Sequence, residues 1–113
     1  MTKGALLAAI AALAIFPATF AGAQEDPVRY PSRPVEFIVP FAAGGSADVI
    51  ARMVAQAVSQ HWLQPVVVQD KPGATGAVAS EYVAQAAPDG YTLLLSTAST
   101  HAVLPAYRHD LTY

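Results

Sequence analysis

The sequence predicts an α/β fold, a parallel βαβαβ unit in which one sheet lies between two layers of helix. Short runs rich in β-branched and aliphatic residues alternate with longer stretches of helical periodicity, and segments rich in glycine and proline separate them. Each helical stretch is long enough to cross between parallel strands. We therefore expect all three strand ends to open on one edge of the sheet, where open α/β sheets bind ligands.

Composition narrows the classes of function. The 113 residues carry a formal charge of −2, with 54% hydrophobic and 12% charged residues and no cysteine. The low charge and the scattered basic residues argue against a nucleic-acid partner. Without cysteine the chain has no disulfide, no zinc-finger spacing and no thiol nucleophile. The length fits one ordinary domain, and we expect no cofactor.

Residues 1–23 have the pattern of a cleaved secretory signal peptide. Lys3 supplies the positive start, no charge follows as far as Ala23, and Ala21-Gly22-Ala23 is a small-x-small cleavage site before Gln24. A membrane-spanning helix is the alternative, but nine alanines and an internal proline make this stretch a weak span. Residues 24–34 contain three prolines and are interpreted as an extended tether.

The first strand is predicted at residues 35–39, an apolar run that Pro40 stops. A loop with two adjacent glycines follows at residues 41–45. Ser46 is expected to cap a helix over residues 47–61, with Asp48 in its first turn, where a carboxylate favours the helix dipole. The side chains expected to face the sheet recur at helical spacing: Val49, Ile50, Met53, Val54, Ala57 and Val58.

Two further strands and one helix complete the unit. Three consecutive valines at residues 65–69 predict a second strand buried on both faces. Thr75, at the end of a turn-rich loop over residues 70–76, is expected to cap a helix over residues 77–87. The third strand is predicted at residues 91–95, and a polar loop at residues 96–101 follows it. The second helix should turn four side chains inward: Val78, Tyr82, Val83 and Ala86.

The glycine pair before the first helix has two interpretations. Gly44, Gly45 and Ser46 can bind an anion through free amides at the positive end of the helix, or they form a tight turn without a ligand. The residues alone leave both open. The loop is not a phosphate-cradling motif, because no lysine follows the glycines and no G-x-G-x-x-G occurs.

Other polar residues near the strand ends have competing roles. Asp48 is better interpreted as a brace for its loop than as a ligand contact. Ser46, Asp48 and His101 are the residue types of a catalytic triad, but Ser46 lacks the G-x-S-x-G elbow. The three histidines lack the spacing of metal ligands. A loop-capping role for His101 and a ligand contact remain equally open, as do core packing and ligand covering for Phe41.

A series of linked motifs runs in order from residue 30 to the end of the chain. It resembles the solute-binding subunits of tripartite tricarboxylate transporters, the Bug family. The motifs are Tyr30-Pro31-Ser32-Arg33-Pro34, Phe37-Ile38-Val39-Pro40-Phe41, Gly44-Gly45-Ser46-Ala47-Asp48, Gln64-Pro65-Val66-Val67-Val68, Lys71-Pro72-Gly73-Ala74 with Gly76, Ala87-Pro88-Asp89-Gly90-Tyr91-Thr92-Leu93, and Thr100-His101-Ala102 with Pro105.

The resemblance implies a fold and a function. Residues 35–113 would form the partial first lobe of a type II periplasmic-binding-protein-like fold, truncated before the hinge and second lobe. Such a receptor binds a small organic carboxylate without catalysis and delivers it to membrane permease subunits. The ligand-binding residues that the resemblance implies come from all three strand-exit loops: Phe41, Gly44, Gly45, Ser46 and Asp48; Gly73, Ala74 and Gly76; Ser96, Thr97, Ser99, Thr100 and His101.

Two alternatives stand beside this interpretation. One is a truncated product without autonomous function, since a single lobe lacks the opposite wall of the cleft. The other is a hydrolase that uses Ser46 or Ser96 with His101. We expect isothermal titration to measure no carboxylate binding by the isolated chain, and we expect the chain to fold poorly because its sheet exposes an unpaired edge.

Overall fold

The computed structural model describes residues 26–113, so the predicted signal peptide lies outside the described residues. The strands are β1 (Val35–Val39), β2 (Val66–Asp70) and β3 (Thr92–Leu94). The long helices are α1 (Ser46–Trp62) and α2 (Ala77–Gln85). A 3₁₀ turn (Ala74–Gly76) precedes α2, and a π-helical turn (Ser99–Val103) leads into the short helix α3 (Leu104–Tyr107). None of the helices within residues 26–113 is long and apolar enough to cross a membrane.

The three strands form one parallel sheet in the order β2-β1-β3. The chain therefore leaves β1 in one direction to reach β2 and crosses back over β1 to reach β3. Right-handed crossovers in opposite directions place their helices on opposite faces of a sheet. Side-chain contacts agree: Arg52 of α1 pairs with Asp70, whereas Tyr82 of α2 bonds to Glu36, whose side chain points to the other face. The predicted three-layer α/β unit is confirmed.

Alanines, not large aliphatic residues, form the faces of the helices that pack on the sheet. Ala51 and Ala55 of α1 and Ala77 and Ala79 of α2 are buried against a core centred on β1. The predicted inward stripe of α1 is wrong at four of its large side chains, which are 45–67% exposed: Val49, Ile50, Met53 and Val54. The prediction for α2 is wrong at Val78 and Tyr82, which are also exposed. Small side chains let each helix lie close to a narrow sheet.

The outer strands are less buried than the valine run predicts. β2 lies at the edge of the sheet, and Val67 is exposed, so the expected burial on both faces is wrong for this chain. By contrast, Val35, Ile38 and Val39 of the central strand are completely buried. Position in the sheet, rather than hydropathy alone, decides burial here.

Side chains hold residues 26–34, within the predicted tether, against the start of β3. The Tyr30 hydroxyl donates to the Gly90 carbonyl at 2.6 Å. Arg33 pairs with Asp89 at 2.8 Å, and its guanidinium lies 3.8 Å from the centre of the Tyr91 ring. A cation over an aromatic face is stabilised by the ring quadrupole. These contacts fix the direction from which the chain enters β1.

The contact between α2 and β1 leads to a titration prediction. The Tyr82 hydroxyl donates to Glu36 Oε2 at 3.2 Å, and this bond and the negative charge raise the pKa of Tyr82. Both effects stabilise the protonated phenol and oppose the phenolate. Glu36→Gln removes the charge, so the pKa of Tyr82 should fall towards its ordinary value. Phenolate absorbance during a pH titration should show one tyrosine ionising at lower pH, whereas Glu81→Gln should leave the curve unchanged. Superimposable curves for Glu36→Gln and the parent would contradict this.

Candidate functional site

The carboxyl ends of the three strands lie side by side, as predicted. Val39 pairs with Asp70 at the end of β2, and Ile38 pairs with Leu94 at the end of β3. Two further backbone bonds extend the sheet beyond the strands: Lys71 donates to Val39 at 2.8 Å and Leu95 donates to Ile38 at 2.8 Å. The three following loops therefore leave the same edge of the sheet together.

A cleft of about 470 Å³ opens at this edge between the loops that follow β1 and β3. The strand order reverses at β1, and a reversal of this kind leaves a crevice between diverging crossovers, where α/β proteins commonly bind ligands. Phe41, Gly45, Ser46, Thr97 and Ser99, all predicted site residues, line the cleft. The other lining residues are Ala47, Ile50 and Leu95.

The first turn of α1 directs backbone amides to the cleft region. Gly45 is the N-cap, with extended backbone (φ −76°, ψ 170°), and it offers no side chain to bond the first amides. The first bond of the helix runs from the Val49 amide to the Gly45 carbonyl at 3.1 Å. The amides of Ser46, Ala47 and Asp48 precede that bond and have no acceptor within the helix. This end of α1 can therefore accept a negatively charged group.

The capping role predicted for Ser46 is wrong. Ser46 is the first residue of α1, and no side chain in the described part of the chain caps the helix. Gly44, which precedes the cap, has φ +83°, a conformation that glycine adopts without steric cost. The glycine pair thus makes the turn, and the Ser46 side chain contributes to the lining of the cleft.

Asp48 braces the glycine loop. Its side chain is 6% exposed, and its Oδ2 accepts a bond from the Gly44 amide at 2.8 Å. Its Oδ1 lies 2.7 Å from Nε of Arg52. Of the two roles considered for Asp48, the contacts describe the brace: the carboxylate holds the Gly44 amide, and Asp48 does not line the cleft.

The second loop supports the other two. Its backbone is left-handed at Ala74, Thr75 and Gly76, so Thr75 does not cap α2; Gly76 is the N-cap. Gly76 is buried and lies against Thr100 and Pro40, so that a Cβ at this position would overlap the Thr100 methyl group. Gly73, Ala74 and Gly76 are not among the residues that line the cleft.

The third loop is more helical than the sequence predicts. The predicted polar loop at residues 96–101 is wrong from Ser99 onward, where the π-helical turn begins. The turn is stabilised by the side chain of Thr100, which is completely buried. Its Oγ1 accepts from the Thr97 amide at 3.1 Å and donates to the Thr97 carbonyl at 2.9 Å. Thr100 therefore shapes the loop, while Thr97 and Ser99 face the cleft.

His101 does not join Ser46 and Asp48. Its Nδ1 lies 2.8 Å from Thr100 Oγ1, and its ring centre is 5.5 Å from that of Tyr113. Asp48 contacts Gly44 and Arg52 instead. Since a triad requires the base to contact both the nucleophile and its orienting acid, these contacts do not describe a nucleophilic site. His101 and Ser96 lie outside the lining of the cleft.

Sequence reasoning missed the apolar part of the lining. Ile50 lies one turn beyond Ser46 on α1, and Leu95 follows the last residue of β3. The spacing of Ser46 and Ile50 was a usable signal, because residues four apart share a helix face. Among the described residues, no charged side chain lines the cleft. Within residues 26–113, no cluster of histidine, aspartate and glutamate could hold a metal ion.

Comparisons with known proteins agree with this architecture. The chain matches the tripartite tricarboxylate transporter family receptor over residues 50–113, more than half of its length. Protein BugT of Bordetella pertussis is 46% identical over 91 residues, which cover 80% of this chain and 28% of BugT. A solved structure described as a periplasmic transporter is 55% identical, with a TM-score of 0.72 over 74% of this chain and 28% of that one. MatC of Rhodopseudomonas palustris, solved with bound malate, is 38% identical, with a TM-score of 0.70 over 74% of this chain and 29% of MatC.

The similarity extends over part of each relative. The chain spans 28% to 34% of the length of three curated relatives that it matches. Within that part, the parallel sheet and its helices have the α/β fold of periplasmic binding proteins. The extent of the family match and the agreement of the fold lead to one conclusion: this chain belongs to the family of tripartite tricarboxylate transporter receptors, as its motifs predict.

Proposed function

We propose that this chain forms one wall of a periplasmic receptor that binds a small organic carboxylate and delivers it to membrane permease subunits. The observation that carries the proposal is the cleft between β1 and β3, which combines the first amides of α1 with the hydroxyl side chains of Ser46, Thr97 and Ser99. Oriented amides stabilise an anion without a buried counter-charge. The bound malate of the MatC structure supports this class of ligand.

The proposal also covers the export of the chain, the bounds of its binding lobe and the loops that surround the ligand. Residues 1–23 would direct export and be cleaved before Gln24, and residues 35–113 would form a partial first lobe. The ligand would lie against the loops at residues 41–48, with residues 73–76 and 96–101 around it. Because a single lobe encloses a ligand on one side, the isolated chain should bind malate weakly, in the millimolar range, rather than tightly.

Replacing Ser46 with proline tests the amide contact without disrupting α1. Proline is favoured at the first position of a helix, and the extended backbone of Gly45 suits the residue before a proline. Ser46→Pro removes the amide donor and the hydroxyl, whereas the matched control Ser46→Ala removes the hydroxyl alone. A hydrogen bond to a charged group contributes roughly 1.5–3 kcal/mol. Ser46→Pro should therefore weaken malate binding about tenfold or more, and Ser46→Ala much less.

The measurement is a malate titration of the isotope-labelled chain, followed by amide chemical shifts. Saturable shifts should be confined to the loops around the cleft, with Ala47 among the most affected amides. Val28, exposed in the amino-terminal segment, should not move. Equal affinities for the parent and Ser46→Pro, or shifts spread over the whole surface, would contradict an amide-based carboxylate site.

A further inference from the structure

Arg52 connects the brace of the glycine loop to the neighbouring strand. Its Nε lies 2.7 Å from Asp48 Oδ1, and one of its terminal nitrogens donates to Asp70 Oδ2 at 3.1 Å. Asp48 is in the first turn of α1 and Asp70 is the last residue of β2, so one side chain spans two elements at the candidate site. The contact with Asp70 is a hydrogen bond, whereas Asp48 Oδ1 accepts no hydrogen bond from the described residues, so its contact with Arg52 is an ion pair.

The charge of Asp48 poses a problem for an anion site. Its carboxylate is nearly buried and accepts a bond from the amide of Gly44, two residues before Ser46. The amides of Ser46 and Ala47 are the donors that would meet an incoming carboxylate. An unpaired negative charge there would repel the ligand and reduce the positive potential at the amino-terminal end of the helix. Arg52 carries the opposite charge in direct contact with Asp48 and cancels much of this field.

The same contact fixes the geometry of the loop. Asp48 uses one oxygen to hold the Gly44 amide and the other to meet Arg52. A buried carboxylate that loses its paired positive charge is strongly destabilised, and it turns towards water where it can. Loss of Arg52 would therefore release Gly44 and with it the turn that presents the first amides of α1.

We propose that Arg52 is a positioning residue for anion binding: it holds Asp48 in its contact with the Gly44 amide and neutralises that carboxylate so that the α1 amides can accept a ligand carboxylate. Arg52 does not line the cleft, so it acts through Asp48. The proposal rests on the function proposed above, but its effect on the loop exists without a ligand.

Four variants of the labelled chain separate charge from packing. Arg52→Gln removes the cation, and Arg52→Lys keeps the charge but loses the planar fork. The double variant Asp48→Asn with Arg52→Gln removes both charges and keeps a carbonyl that can accept from Gly44. Arg108→Gln is the control for the loss of one positive charge, since Arg108 pairs with the exposed Asp110. Each variant is measured by hydrogen exchange of the Gly44 amide without ligand and by malate titration.

We expect the double variant to restore what Arg52→Gln loses, a recovery that a purely structural role of Arg52 would not produce. Arg52→Gln should speed exchange of the Gly44 amide and weaken malate binding, each by about tenfold. The double variant should recover most of both, and Arg52→Lys should lie between Arg52→Gln and the parent. Arg108→Gln should match the parent in both measurements.

The two measurements distinguish this proposal from the proposed function. If the parent chain binds no malate, the carboxylate site is refuted, and Gly44 exchange alone decides whether Arg52 positions the loop. Unchanged exchange in Arg52→Gln, or a double variant no better than Arg52→Gln, would overturn the role of Arg52. If Arg52→Gln does not fold, its spectrum shows this directly. Gly44 exchange and malate affinity are then compared between Arg52→Lys and Arg108→Gln.

Discussion

Gly76→Ala is expected to lower the free energy of unfolding by roughly 2–5 kcal/mol, a large part of the folding stability of this chain. Gly76 has φ +91° at the start of α2, where an alanine is strained by about 1–2 kcal/mol. The new methyl group would overlap the methyl of Thr100 and would lie 3.1 Å from Cβ of Pro40, both in the buried core. Overpacking of this kind adds roughly 1–3 kcal/mol. The sum approaches the whole stability of a domain this small, which is on the order of 5 kcal/mol.

Gly44→Ala is the matched control. Gly44 also has a left-handed backbone, with φ +83°, but a Cβ there would meet no atom of residues 26–113 within 4 Å. Only the backbone term remains, so the loss should be about 1–2 kcal/mol. Adding Thr100→Ser to Gly76→Ala removes the overlapping methyl group and should restore part of the stability. Urea denaturation gives all three values, and a Gly76→Ala variant as stable as Gly44→Ala would show that the contact does not exist.

This contact matters for function because it joins all three loops. Pro40 follows β1, Gly76 ends the second loop, and Thr100 lies in the turn after β3. The hydroxyl of Thr100 is fixed by Thr97, which lines the cleft. Close packing at Gly76 thus holds the wall of the cleft formed by the third loop in position against the first. Glycine is required there by a contact between loops, which spacing along the chain does not reveal.

The strands and their common edge were predictable from the sequence. An apolar run stopped by Pro40 and a valine run between Pro65 and Asp70 leave few alternatives, and crossover handedness then determines the layers. The residues around the glycine pair were also predictable in position. Phe41, Gly45 and Ser46 all line the cleft. Local sequence pattern was enough wherever the order of strands and helices along the chain decided the outcome.

The packing faces of the helices were not predictable in this way. Helix α1 has an alanine stripe at Ala51 and Ala55 beside a stripe of larger side chains that includes Val49 and Met53. Both stripes have helical period, and periodicity favours the more hydrophobic one. The observed choice depends on how closely the helix approaches the sheet, a property of tertiary packing.

The predictions for the helix caps and for the third loop were wrong for a related reason. Ser46 and Thr75 are good capping residues, yet glycines at positions 45 and 76 occupy the caps, because the turns before both helices pass through left-handed or tightly packed backbone. The polar residues 96–101 suggest a loop, but the buried Thr100 hydroxyl bonds back to Thr97 and organises a π-helical turn. Side-chain bonds to the backbone decide such segments.

Ile38→Ala should cost roughly 3–4 kcal/mol of unfolding free energy. Ile38 lies in the central strand, is completely buried, and pairs with Gln69 and Leu94 of the two outer strands. Truncation removes buried methyl and methylene groups and leaves a cavity that a three-stranded sheet closes poorly. Because β1 carries the first loop to the cleft, the variant should also lose ordered amide signals at Ser46.

Ile50→Ala makes the same chemical change on the surface. Ile50 is 54% exposed on α1, and alanine has the higher helix propensity, so stability should change by no more than about 0.5 kcal/mol. Since Ile50 lines the apolar part of the cleft, its truncation should instead weaken malate binding slightly while the fold persists. Urea midpoints of the two variants compare them directly. Equal losses would mean that β1 is not the centre of the core, and the position of the cleft at its carboxyl end would lose its physical basis.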